Sequence, residues 1–171
     1  PRPRTGGFAL TYKVKVGNEE WAVRCFHKLS VTRNVIHPKI CDFIKSHPSR
    51  FFVQTEFQPH GILFEGNYYP ISLMRWVKGE TLGTFISNNF NDSQKIKFVT
   101  EQFLDVVDEL NRLKIAHGDL SHSNIMVENQ RMVLIDYDGM LFRPSEVVKA
   151  PKLETKTSNI LEEKRYISTQ R

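Results

Sequence analysis

Apolar residues recur along this chain at two intervals, and the change of interval predicts its elements. Tyr12, Val14 and Val16 alternate with polar residues, Gly17-Asn18 follows, and Trp21, Val23 and Cys25 alternate again. A period of two sends successive side chains to opposite faces, so this stretch predicts a hairpin whose second strand carries Ala22 and Arg24 on one face. Gly6-Gly7, just before it, predicts a flexible turn at the hairpin's open end. Residues 51–57 and 68–74 read as two more strands, with Gly66-Asn67 as the turn signal, and the four segments together predict a small antiparallel sheet.

Between these strands a helix is predicted to begin near His37-Pro38, because proline is accepted in a first helical turn. It runs through Ile40, Cys41, Phe43 and Ile44 and stops at His47-Pro48. A longer helix is predicted over about residues 93–113: Asn91-Asp92-Ser93 offers an N-cap, and Ile96, Val99, Phe103, Val106, Val107, Leu110 and Leu113 follow at helical spacing. Two short apolar runs, 125–127 and 132–135, predict a final hairpin around Glu128-Asn129-Gln130.

Composition narrows the class. With 171 residues, 40% hydrophobic and 25% charged, the chain is long enough for one domain with a core and short for two. Its net charge of +5 is spread along the chain without a dense basic run, which argues for attraction to phosphates in general and against a nucleic-acid surface. Cys25 and Cys41 have neither metal-ligand spacing nor the density of a secreted disulfide scaffold, so a reduced, cytoplasmic compartment is the expectation. No apolar run approaches the length of a membrane span, so no membrane partner is expected. A first residue other than Met reads as a piece of a longer chain.

The chemistry concentrates near the last hairpin. Asp119 and Asn124 precede its first strand and Asp136 ends its second, so two carboxylates and a carboxamide are expected to converge. Phosphoryl transfer from a nucleotide asks for oxygen ligands to magnesium and one carboxylate that orients the attacking hydroxyl. Asp119 suits the second task, Asn124 and Asp136 the first.

These residues resemble the protein-kinase superfamily, whose signature joins a catalytic loop H-R-D-x-x-x-x-N to a D-F-G after a hairpin. Here His117-Gly118-Asp119 is followed by Asn124 five positions after the aspartate, and Asp136 lies twelve further on. Gly118 stands at the usual arginine and Tyr137-Asp138 at Phe-Gly. The resemblance extends over about residues 5–144 and implies an α+β, two-lobed kinase-like fold in a single domain over 1–171. Its parts would be an antiparallel-sheet N-lobe to about 74, a hinge at 75–80, a truncated helical C-lobe to about 144 and a polar tail over 145–171.

It implies ATP and magnesium as cofactors. Gly6, Gly7, Phe8 and Ala9 would fall on the loop that covers the phosphates, with Ala22 and Arg24 on the strand whose lysine, here Arg24, grips them. Met74, Arg75 and Val77 would form the hinge, where the backbone of Arg75 and Val77 meets adenine. His117 would brace the catalytic loop. No Glu lies between Lys28 and Arg50, where the kinase helix supplies a partner for that lysine, and Asp42 is the one acid there.

The implied activity is transfer of the γ-phosphoryl group to a hydroxyl, in first place Ser or Thr of a protein, as in bacterial-type Ser/Thr kinases. His117-Gly118-Asp119-Leu120 is also similar to the loop of aminoglycoside and choline phosphotransferases, which gives a small-molecule acceptor as the alternative. A scaffold that binds partners without catalysis is the third reading.

Overall fold

The computed structural model describes residues 4–5, 9–26 and 31–142, and these form an α+β, two-lobed fold of the kinase-like kind. Gly6, Gly7, Phe8 and the tail over 145–171 lie outside the described residues. The first lobe is one antiparallel sheet. A two-residue strand β1 (Arg4–Thr5) pairs with β2 (Ala9–Val16), which pairs along its whole length with β3 (Glu19–Phe26). Ala22 lies opposite Lys13 and Met74, and Arg24 opposite Thr11 and Ser72, so both share one face as the alternation predicts. The sheet continues through β5 (Asn67–Arg75) to β4 (Thr55–Phe64) at its edge.

Two elements differ from expectation. Helix α1 spans Val31–Ser46 and encloses Pro38. The proline ring forfeits one bond to the carbonyl of Asn34, and burial of Ile40, Cys41 and Ile44 against the rest of the molecule holds the helix across that gap. The strand predicted over 51–57 begins only at Thr55 and runs on to Phe64. Phe51 and Val53 alternate as a strand would, but they are buried against the second lobe: Leu134 N–H donates to Phe51 O at 2.8 Å, and Phe52 forms an isolated parallel bridge with Leu134. Pro59 is tolerated inside β4 because the strand is at the edge, where its pairing also shifts register between Gln58 and Ile62.

In the second lobe, strand β6 (Glu80–Thr81) leads into α2 (Leu82–Asn89), capped by the Thr81 side chain, which accepts from Thr84 N–H. Helix α3 (Ser93–Arg112) is capped by Asp92, which accepts from the N–H groups of Gln94 and Lys95. Its apolar stripe buries Val99, Val106 and Leu110. Strand β7 (Ile115–Ala116) pairs with β10 (Leu141–Phe142), and β8 (Ile125–Glu128) with β9 (Arg131–Leu134). The β8–β9 turn is Asn129-Gln130, both at positive φ (48° and 58°), which is the geometry a two-residue hairpin loop favours.

One core joins the lobes. Ile40, Ile44 and Phe51 pack with Leu82, Val106, Ile125, Met132, Leu134 and Tyr137, so α1 and the segment before β4 are anchored to the hairpin that carries the candidate chemistry. Glu128 fastens the chain between the lobes to the second lobe, accepting from the backbone N–H of Lys78 and pairing with Arg75 Nη2 at 3.4 Å. No helix among the described residues is long and apolar enough to cross a membrane. Cys25 and Cys41 are free thiols, and burial raises the pKa of both.

Candidate functional site

The loop between β7 and β8 is built around a buried histidine. His117 is 2% exposed, and its Nε2 lies 3.0 Å from Ile135 O. A carbonyl only accepts, so Nε2 is the ring nitrogen that carries a proton and donates. Ile135 N–H donates to Asn124 O at 2.9 Å, so the residue before Asp136 is held from both sides by the β7–β8 loop. Asn124 also donates its carboxamide Nδ2 to Asp119 Oδ2 at 2.8 Å and to Asp119 O at 3.0 Å. That amide therefore turns its Oδ1 away from Asp119.

Strand β9 stops at Leu134, two residues short of Asp136, which adopts a left-handed conformation (φ 61°, ψ 68°) rather than ending the strand. Asp visits this region more readily than most residues, and such backbones cluster where a side chain must be aimed. A 3-10 turn, Tyr137–Gly139, follows. Its Tyr137 is buried; the hydroxyl donates to Leu134 O at 2.6 Å and accepts from Val53 N–H at 2.8 Å. Desolvation raises the phenol's pKa well above its ordinary value, so it stays a donor. The hydroxyl that Tyr adds at the usual Phe position thus ties the turn to both lobes.

A cleft of about 770 Å³ separates the sheet from this hairpin. Ala9, Ala22, Arg24, Met74, Arg75 and Val77 line it from the sheet and the connecting segment, and Asn124 and Asp136 from below. Asp119 does not itself line the cleft but is hydrogen-bonded to Asn124, which does, and His117 braces the loop through Ile135 O. Across the cleft, Arg24 Nη1 meets Asp136 Oδ1 at 2.8 Å. At the mouth, Glu20 bridges Lys13 (2.8 Å) and Lys78 (3.4 Å), and Lys13 Nζ lies 4.8 Å from the centre of the Trp76 ring. The hydrogen bond from Lys13 holds the Glu20 carboxyl below its usual pKa.

In the connecting segment, Arg75 N–H donates to Gln54 O and Trp76 N–H to Glu20 O, which fixes the backbone that would face a base. Asn124 Oδ1 and the Asp136 carboxylate are hard oxygen donors of the type magnesium takes, two being enough for an ion that keeps several waters. No three His, Cys, Asp or Glu side chains converge as a ligand set among the described residues.

Sequence reasoning missed Asp138. Its carboxylate meets both terminal nitrogens of Arg24, at 2.7 and 2.9 Å. The available signal was an aspartate two positions beyond Asp136, which a tight turn can swing to the same side. Glu128, as the fastener of the connecting segment, had no local signal.

Burial lowers the pKa of His117 below the ordinary 6.5, opposed by its bond to Ile135 O. The unfolded chain therefore takes up a proton below about pH 6.5 where the folded chain does not. This contribution to stability is complete above that pH and falls as pH drops toward the folded-state value. Urea unfolding at pH 7.5 and 5.5 is expected to show lower stability at 5.5, with a shallower decline in His117→Gln. The lowered carboxyls of Glu20 and Glu109 act below their ordinary 4.5, outside this window.

A curated relative, "Probable serine/threonine-protein kinase mkcE" of Dictyostelium discoideum, is 29% identical over 113 residues, which are 65% of this chain. The chain spans 13% of that relative's length. The family model of the RIO domain matches residues 59–159, a segment that begins in β4 and takes in the connecting segment, both capped helices and the whole loop and hairpin just described. With more than half the chain inside that match, and with the two-lobed architecture around it, the protein belongs to the RIO-domain family of the protein-kinase-like superfamily.

Proposed function

We propose that this chain is one catalytic unit, hinged at 75–80, that moves the γ-phosphoryl group of ATP to a hydroxyl. The observation that carries the reading is the single cleft on which Ala22, Arg24 and Val77 face Asn124 and Asp136. Adenine would lie against Ala22 and Met74, with the backbone of Arg75 and Val77 as its polar edge. Arg24, Ala9 and the Gly6-Gly7-Phe8 loop would hold phosphates. Arginine in the lysine's place keeps the charge and can grip phosphate with two nitrogens. Magnesium held by Asn124 and Asp136 would neutralise phosphate charge, and Asp119 would orient the acceptor hydroxyl and take its proton. His117 and the carboxamide of Asn124 keep Asp119 in place.

The acceptor is proposed to be a Ser or Thr side chain, in keeping with the name of the Dictyostelium relative. The His117-Gly118-Asp119 loop supports a small-molecule alcohol as the second reading, and parallel assays with protein and amino-alcohol acceptors separate the two. A reduced, cytoplasmic setting fits the two free thiols.

Thermal unfolding with ATP, with and without magnesium, tests the site. A ligand specific to the native state adds about 2.7 kcal/mol at a hundredfold excess over its dissociation constant. A magnesium-dependent rise in the parent chain that disappears in Asp136→Asn is the expected result. Equal rises in both, or none in the parent, would remove the basis for the reading.

A further inference from the structure

In this fold an isolated cation at the position of Arg24 is of little use unless something holds it over the phosphates, because a long side chain has many rotamers. The acid of α1 does not do so: Asp42 lines a separate groove, between α1 and β4, with Lys45 and Glu56. Instead α1 approaches through His37, buried between Phe26 (ring centres 5.0 Å apart) and Phe57 (stacked at 5.8 Å), with Nε2 3.7 Å from Asp138 Oδ1.

We infer that Asp138 is the positioning residue for Arg24, supplying from the turn after Asp136 the carboxylate that α1 does not provide; the inference rests on the nucleotide reading above. Three observations carry it. Asp138 takes Arg24 in a two-nitrogen, two-oxygen grip at 2.7 and 2.9 Å, whereas Asp136 receives one bond from Nη1. The gripping pair is the sheltered one: the side chains of Arg24 and Asp138 are 19% and 18% exposed, and that of Asp136 is 41% exposed. The turn that delivers Asp138 is itself fixed, since Tyr137 bonds Val53 and Leu134 and Met140 N–H closes back on Tyr137 O. Asp136 can then exchange Arg24 for a cation while Asp138 keeps the guanidinium in place. Asp138 touches no reacting atom; it acts through Arg24.

The test is a double-mutant cycle read as magnesium-ATP affinity by calorimetry, with KM and kcat measured on the same proteins. Asp138→Asn in the parent is expected to weaken binding about tenfold or more, the usual effect of removing a partner that orients a ligand-holding group. It is expected to raise KM more than it lowers kcat. In an Arg24→Met background the same substitution is expected to change affinity less than about twofold, because what Asp138 positions is gone. Asp138→Glu, which keeps the charge on a longer arm, carries the same cycle if Asp138→Asn does not fold, with a smaller loss again confined to the chain that has Arg24. Equal losses in both backgrounds, with the parent binding normally, overturn the inference alone. A parent that binds no magnesium-ATP overturns the nucleotide reading and the inference together.

Discussion

Gly118→Ala is expected to lower the unfolding free energy by about 3–5 kcal/mol, the range of severe single substitutions with a named steric cause. Gly118 has φ +80°, where an L side chain is strained by roughly 1–2 kcal/mol. A Cβ there would also overlap the Gly139 carbonyl group and come within 3.0 Å of Gly139 Cα. Both neighbours are backbone, so no side chain can swing aside. The turn must move, and with it buried Tyr137 and Met140. On the usual scaling for a chain of this size the midpoint should fall on the order of 10 °C. Gly118→Arg, which writes the common kinase pattern back into the loop, should be no better. A loss below about 1 kcal/mol in urea unfolding would mean that the loop and turn can separate cheaply. The same contact gives the missing arginine a physical reason: this loop touches the turn directly, backbone to backbone.

How far the fold could be read in advance follows from which signals were local. The α3 stripe repeats over five turns and its Asp92 cap adjoins it, so both ends came out within a residue. The β2–β3 hairpin is continuous in sequence and needed no distant partner. Phe51 and Val53 misled because alternation reports that a residue is buried, not what buries it; their cover is Leu134 and Tyr137, over eighty positions away. Pro38 misled because a proline marks a first turn only when the preceding residues cannot already be helical, and 31–37 can. The two-residue strands β7 and β10 have no period to detect.

The candidate site divides in the same way. Asp119, Asn124 and Asp136 stood out because the chemistry that needs them fixes their spacing within one loop and one hairpin. The grip of Asp138 on Arg24 joins residues 114 positions apart and exists only once the sheet closes over the hairpin. The bond from Ile135 N–H to Asn124 O was likewise invisible, because it joins backbone atoms that every residue type possesses; the His117 side chain, expected to brace the loop, does so through Ile135 O.

Asp119→Asn separates catalysis from binding. The substitution keeps the shape of the side chain, and an amide oxygen can still accept from Asn124 Nδ2, so the bond that now measures 2.8 Å can persist and the fold should be little affected. Magnesium-ATP affinity should also stay within about twofold, since Asp119 is assigned no contact with phosphate or metal. What is lost is the group that takes the acceptor's proton, an effect typically worth 10²- to 10⁴-fold, and kcat is expected to fall by about that factor with KM for ATP nearly unchanged. A fall in affinity equal to the fall in kcat would move Asp119 from base to ligand holder. Unchanged transfer would remove it from the mechanism. Normal magnesium-ATP binding with no transfer to protein or small-molecule acceptors, in parent and variant alike, would leave the cleft as a nucleotide-bound scaffold, with Arg24 and its two aspartates serving closure of the lobes rather than chemistry.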